Sequence, residues 1–137
     1  MQKTIVVVAG VIFDRCGRLL ACQRPAGKSH AGKWEFPGGK LEKGETAAMA
    51  LQRELAEELD IRVTVLDEMY RLTVQSAPDK ELVLHFLRAL APDDCLPTAC
   101  EGQQFRWVKK NELDSVDWLE TDWEFVKFLA LTANAVK

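Results

Sequence analysis

Residues 39–61 read GKLEKGETAAMALQRELAEELDI, and the spacing within this stretch fixes the core of the fold. Ala48, Leu51, Leu55 and Leu59 recur at three- and four-residue intervals among strong helix formers, which predicts a helix from Glu45 to Leu59 opened by Gly44-Glu45-Thr46. Turned at 100° per residue, Glu54, Glu57 and Glu58 stand at i, i+3 and i+4 and share a second stripe beside the apolar one. Like charges at this spacing destabilise an isolated helix by about a few tenths of a kcal/mol per pair, and only Arg53, one turn before Glu57, offsets them locally. Such a stripe fits either a solvated acidic face or a site for a cation. Hard divalent ions such as Mg²⁺ or Mn²⁺ prefer carboxylate oxygens and bridge them to phosphates. Pro37-Gly38-Gly39, just upstream, lets backbone approach a ligand closely.

Outward from the helix the pattern changes to strands. Ile5 to Phe13 and Leu19 to Arg24 flank the turn residues Asp14-Arg15-Cys16-Gly17 and predict an opening hairpin. Pro25 to Lys33 is a polar loop, and Trp34-Glu35-Phe36 a short strand. Arg62 to Gln75 and Glu81 to Leu90 flank Ser76-Ala77-Pro78-Asp79-Lys80 as a second antiparallel pair, and Gln103 to Val108 is a further strand. Asn111-Glu112-Leu113 reads as a helical turn and Glu120 to Leu131 as a closing amphipathic helix. Strands on both sides of one strong helix predict an α+β fold, a mixed sheet with helices on its faces, built as one domain over residues 1–137.

The 137 residues are 47% apolar and 28% charged, which excludes disordered and fibrous classes. A net charge of -3 excludes a domain that lives on a nucleic-acid polymer, while a small anionic ligand stays open through local positive charge or bound metal. No apolar run reaches the roughly 18–20 residues of a membrane span, and Met1-Gln2-Lys3-Thr4 runs straight into a strand, so the expected location is the cytoplasm. Cys16, Cys22, Cys95 and Cys100 lack zinc-type spacing and read as reduced thiols, mostly packing residues.

The charged positions of the quoted stretch resemble the Nudix box, Gly-x5-Glu-x7-Arg-Glu-(apolar)-x-Glu-Glu-x-Gly-(apolar), here Gly39, Glu45, Arg53, Glu54, Leu55, Glu57, Glu58, Asp60 and Ile61. Asp60 stands where the family has glycine, and Asp tolerates left-handed backbone moderately well. The resemblance implies the Nudix fold, a mixed β-sheet sandwiched between α-helices, and metal-assisted attack of water on a pyrophosphate phosphorus. It implies Mg²⁺, or Mn²⁺, on Glu54, Glu57 and Glu58, a carbonyl ligand from Gly38, and orientation of those glutamates by Arg53 and Glu45.

Arg24-Pro-Ala-Gly-Lys-Ser-His30 through Trp34-Glu35-Phe36-Pro-Gly-Gly-Lys40 is similar to the MutT-type branch, nucleoside triphosphate pyrophosphohydrolases that remove oxidised purine nucleotides such as 8-oxo-dGTP. That likeness would put Arg24 and His30 on the nucleotide pocket, Glu35 and Phe36 near base and sugar, and Lys40 at the phosphates or the attacking water. Glu101 would bind metal or act as the base, and Asp122 and Lys80 would reach the base, with Trp118 as a stacking wall. The implied partner is a small nucleotide, not a nucleic-acid polymer or a membrane, and the implied assembly a monomer or homodimer. Asp122 stands where the branch carries Asn or Asp and, unlike Asn, normally only accepts, and Lys80 stands in place of an Arg, so a pyrophosphohydrolase of CTP or 5-methyl-dCTP is the alternative. A nucleotide-sugar or dinucleotide hydrolase, and a catalytically silent nucleotide-binding module, are further alternatives.

Overall fold

The computed structural model describes residues 3–93, 95, 97–100 and 102–132. Among the described residues seven strands form one sheet: β1 (Lys3–Phe13), β2 (Leu19–Gln23), β3 (Trp34–Glu35), β4 (Gly38–Lys40), β5 (Thr64–Ala77), β6 (Lys80–Leu90) and β7 (Gln104–Val108). The main order is β3-β2-β1-β6-β5, with β4 beside β1 and β7 beside β2. β1 and β6 run parallel over their full lengths, from Lys3↔Lys80 to Phe13↔Leu90, and the other pairs are antiparallel. The mixed α+β sheet expected from the sequence is therefore the one observed.

Alternation along β1 feeds two cores. Val8 and Ile12 point to one face, where they pack with Leu20 and Leu87 under helix α1 (Ala47–Leu59). Ala9 and Val11 point to the other, with Phe86, Phe125 and Leu129, the last two from helix α2 (Glu120–Thr132). The buried stripe of α1 is Ala50, Leu51, Leu55 and Leu59, while Ala48 stays half-exposed. Gly10 faces Leu51, where a methyl group would come within 3.1 Å of the leucine, so its missing side chain brings helix and sheet close.

Both ends of α1 are defined by local chemistry. Thr46 caps the start by accepting a hydrogen bond from Met49 N at 3.1 Å, so the helix begins at Ala47. At the other end Asp60 takes φ 52° and ψ 42°, the left-handed geometry glycine would supply, and its N–H turns back to Ala56 O. The loop beyond β6 satisfies the remaining carbonyls: Thr98 N donates to Leu59 O at 2.8 Å and Cys100 N to Glu58 O at 3.0 Å.

Three readings of the sequence need correction. Gly38-Gly39-Lys40, in which the sequence showed no strand, pairs to β1 at Val7, Val8 and Ala9. β1 and β2 touch only at Phe13↔Leu19 and then part, and β4 fills the edge so vacated. Of the cysteines, Cys22 alone is buried, whereas Cys16 and Cys100 are exposed. No helix among the described residues is long and apolar enough to cross a membrane.

Candidate active site

Arg53 organises the acidic side of α1. Its guanidinium donates to both oxygens of Glu45, at 2.7 and 3.0 Å, and reaches Glu54 at 3.0 Å, Glu57 at 3.4 Å and the Lys40 carbonyl at 3.1 Å. One planar cation thereby joins the loop before the helix, the strand β4 and two of the three stripe carboxylates. These hydrogen bonds hold the Glu45 carboxyl below its usual range and raise Arg53 further above its own. Glu57 is mostly exposed, and Glu58 has a buried Oε2. Among the described residues no three His, Cys, Asp or Glu side chains are gathered tightly enough to hold a metal ion, since Glu54 and Glu57 are turned onto Arg53.

Gly38 and Gly39 are where the backbone must be bare. A methyl group on Gly38 would lie 1.9 Å from Val8 O, and one on Gly39 would lie 2.3 Å from the Glu54 carboxyl carbon. The β4 backbone therefore forms a cradle into which Glu54 settles.

From this strand a cavity of about 270 Å³ runs toward the start of α2. Gly38, Gly39, Lys40 and Glu58 border one end, Leu119, Thr121 and Asp122 the other, and Arg24, Glu35, Phe36, Leu82 and Leu84 stand between. Arg24 bonds Glu35 through Nη1 at 3.2 and 3.3 Å and fastens the loop above it through Ser29 O at 2.7 Å. Burial raises the pKa of Glu35, with the Arg24 charge pulling the other way.

Asp122 is 3% exposed, and its Oδ2 accepts the Phe36 N–H at 2.8 Å. Burial, reinforced by the charge of Glu35, pushes its pKa up to about 7 against the Phe36 hydrogen bond. Phe36 is buried, stacked on Trp118 at 4.6 Å and edge-on to Phe86 and Phe125. Trp34 N donates to Asp117 O and Leu119 N to Trp34 O, which binds β3 to the segment leading into α2.

The structure thus brings Arg24, Glu35, Phe36, Gly38, Lys40, Glu58 and Asp122 around one cavity. Three of the expected residues lie away from this cavity. His30 lies on the exposed loop at φ 58° and does not line the cavity. Lys80 is exposed at the start of β6, level with Lys3 rather than with the cavity wall. Trp118 is 1% exposed with its indole N–H on Leu113 O, so it is core rather than a wall for the base. Glu101 lies outside the described residues. Cys22, Lys28 and Gln103 also line the cavity and were not singled out by sequence. Only Cys22 left a signal, an inward position in an apolar strand, and burial there raises its thiol pKa. Nothing local marks Lys28 among the loop's other polar residues.

The NUDIX domain family model matches residues 3–129. The chain belongs to the NUDIX family. Among NUDIX relatives it is 39% identical over 130 residues to a putative 8-oxo-dGTP diphosphatase 2 of Mycobacterium tuberculosis, covering 94% of this chain and 90% of that one. It is 54% identical over 64 residues to the CTP pyrophosphohydrolase of Escherichia coli, 47% of either chain. The solved structure of the E. coli ORF135 protein superposes with a TM-score of 0.83 at 33% identity, over 98% of this chain and 94% of that one.

Proposed function

We propose that this protein hydrolyses a nucleoside triphosphate to the monophosphate and pyrophosphate, with 8-oxo-dGTP or a related oxidised purine nucleotide as the substrate. One observation carries the reading: a single cavity joins the glutamate-bearing helix and bare β4 backbone at one end to a buried hydrogen-bonding carboxyl at the other. A nucleotide has the same two kinds of part, charged phosphates and a base that hydrogen-bonds at its edge. The likeness to the mycobacterial relative supports the oxidised purine.

Mg²⁺ is the proposed cofactor, with Mn²⁺ able to replace it. The donors fit in kind, being hard oxygens on one helix stripe beside the Gly39 cradle, and Glu54 and Glu57 would turn from Arg53 to close on an ion. Glu54, Glu57, Glu58 and the Gly38 carbonyl would hold the ion, which when bound neutralises phosphate charge and lowers the pKa of water. Arg53 and Glu45 keep the glutamates in register, and Lys40 meets phosphate oxygens. The new bond joins water oxygen to phosphorus, and the bridging P–O bond between α- and β-phosphates breaks. Arg24 and Glu35 form the side wall beside sugar and base. By its resemblance to the family, Glu101 is the proposed further metal ligand or base. In this reading residues 1–137 act as one cytoplasmic domain on a small molecule.

A second reading, hydrolysis of CTP or 5-methyl-dCTP, is supported by the likeness to the E. coli CTP pyrophosphohydrolase, and Asp122 is compatible with it. With a pKa near 7 it accepts from an amino group when ionised and donates when protonated, so it suits either base edge. The test is pyrophosphate release with Mg²⁺ over 8-oxo-dGTP, dGTP, CTP, 5-methyl-dCTP and ADP-ribose. The highest kcat/KM is expected for 8-oxo-dGTP. A cytosine preference would move the assignment to the second reading, and no turnover of any would leave a silent binding module.

A further inference from the structure

An open groove adjoins the cavity and shares Lys40 with it, running between the start of β1 and the loop from Leu41 to Glu45. Lys3, Lys40 and Lys43 line it, all exposed. Its walls are held by Leu41 N on Val6 O at 2.9 Å and Lys3 N on Asp79 O at 2.7 Å. Two acids also line or border it, yet both face Arg53: Glu45 at 2.7 Å and Glu42 at 3.6 Å. Among the described residues none of the three ammonium groups has an acidic partner within ion-pair distance.

Three ammonium groups without an acidic partner within ion-pair distance gather in one groove and leave their charge available to an anion. The groove begins where the cavity reaches Lys40, at the phosphate end and not the base end. Ammonium groups on flexible stems bind phosphate as point charges, without demanding a fixed geometry.

We infer that this groove is the subsite for the terminal phosphates, in which Lys3 and Lys43 extend the reach of Lys40 and hold the end that departs as pyrophosphate. The inference rests on the pyrophosphohydrolase reading and names the part of the substrate that the groove selects. Nucleoside triphosphates would be preferred over diphosphates of the same base because only they place charge beyond Lys40.

The test uses the whole protein with Lys3→Ala and Lys43→Ala combined, and inorganic pyrophosphate as probe, by calorimetry with Mg²⁺ and by inhibition of triphosphate turnover. Pyrophosphate affinity should fall about tenfold, the sum of two partly screened contacts. KM for the triphosphate should rise more than kcat falls, the diphosphate should lose less, and Lys3→Arg with Lys43→Arg should restore binding. Lys127→Ala, on the exposed face of α2, serves as the control for the overall field. Unchanged pyrophosphate affinity in the double variant, or an equal loss in Lys127→Ala, would overturn the subsite. A wild-type protein that hydrolyses no nucleotide but still binds pyrophosphate through Lys3 and Lys43 would sink the proposed function and sustain the subsite.

Discussion

At one end of the cavity the charged groups at and before α1 are arranged by one another, with Arg53 holding Glu45, Glu54 and Glu57 together and Glu57 open to water. At the other end Asp122 is enclosed by protein and ordered by the Phe36 N–H, against a pile of aromatic rings that includes Trp118 and Phe125. The first arrangement depends on charge, and its outermost contact, to the exposed Glu57, can be lost without loss of fold because exposed ion pairs contribute little to stability, while Glu45 and Glu54 are largely enclosed beside Arg53. The second depends on burial, which fixes position firmly and also changes how readily the carboxyl ionises. A site so divided joins an adjustable charged end to a rigid buried one.

The largest effect expected is at the exposed end. Glu57→Gln should lower kcat by about 10³-fold while the thermal midpoint hardly moves, because Glu57 is 60% exposed and its contact with Arg53 is 3.4 Å long. Kinetics and a melting curve on the same preparation check this, and a drop of many degrees would break the contrast between the two ends. Gly39→Ala comes next. The added methyl group must push Glu54 out of its cradle, so activity should fall about 10²-fold, as misplacement by an ångström does elsewhere, with the fold kept because the displaced atoms are the end of a flexible side chain. Full activity would mean that Glu54 does not work from this position.

The smallest effect sharpens the other end. With the Asp122 pKa raised to about 7 from the usual carboxylate range, the folded protein holds a proton that the unfolded chain has released. Stability from this group is complete below pH 4 and is lost as pH rises through 7. Asp122→Asn removes the titration, so denaturant midpoints for the wild type should decline between pH 5 and 8 relative to those of the variant. Parallel curves would show that Asp122 is not held protonated by burial.

Residues 45–61 were readable in the sequence because their structure follows from neighbours within one or two turns. The periodic leucines made the helix, the acidic stripe lay beside them, and Asp60 took the left-handed turn its position required. The mixed sheet was legible from runs of Val, Ile and Leu. The short strand at Gly38–Lys40 was not, because two glycines carry no side-chain pattern and pair only where β2 leaves β1.

What the sequence by itself determined was therefore the acidic helix, its ends and the class of fold, all consequences of local spacing and charge. The tertiary structure alone decided which polar residues share the cavity: it set Asp122 against Phe36 across 86 positions of chain, added Lys28 and Cys22, and left His30 and Lys80 outside. Burial is a property of contacts between distant segments, and with it come the ionisation of Asp122 and the inward stacking of Trp118.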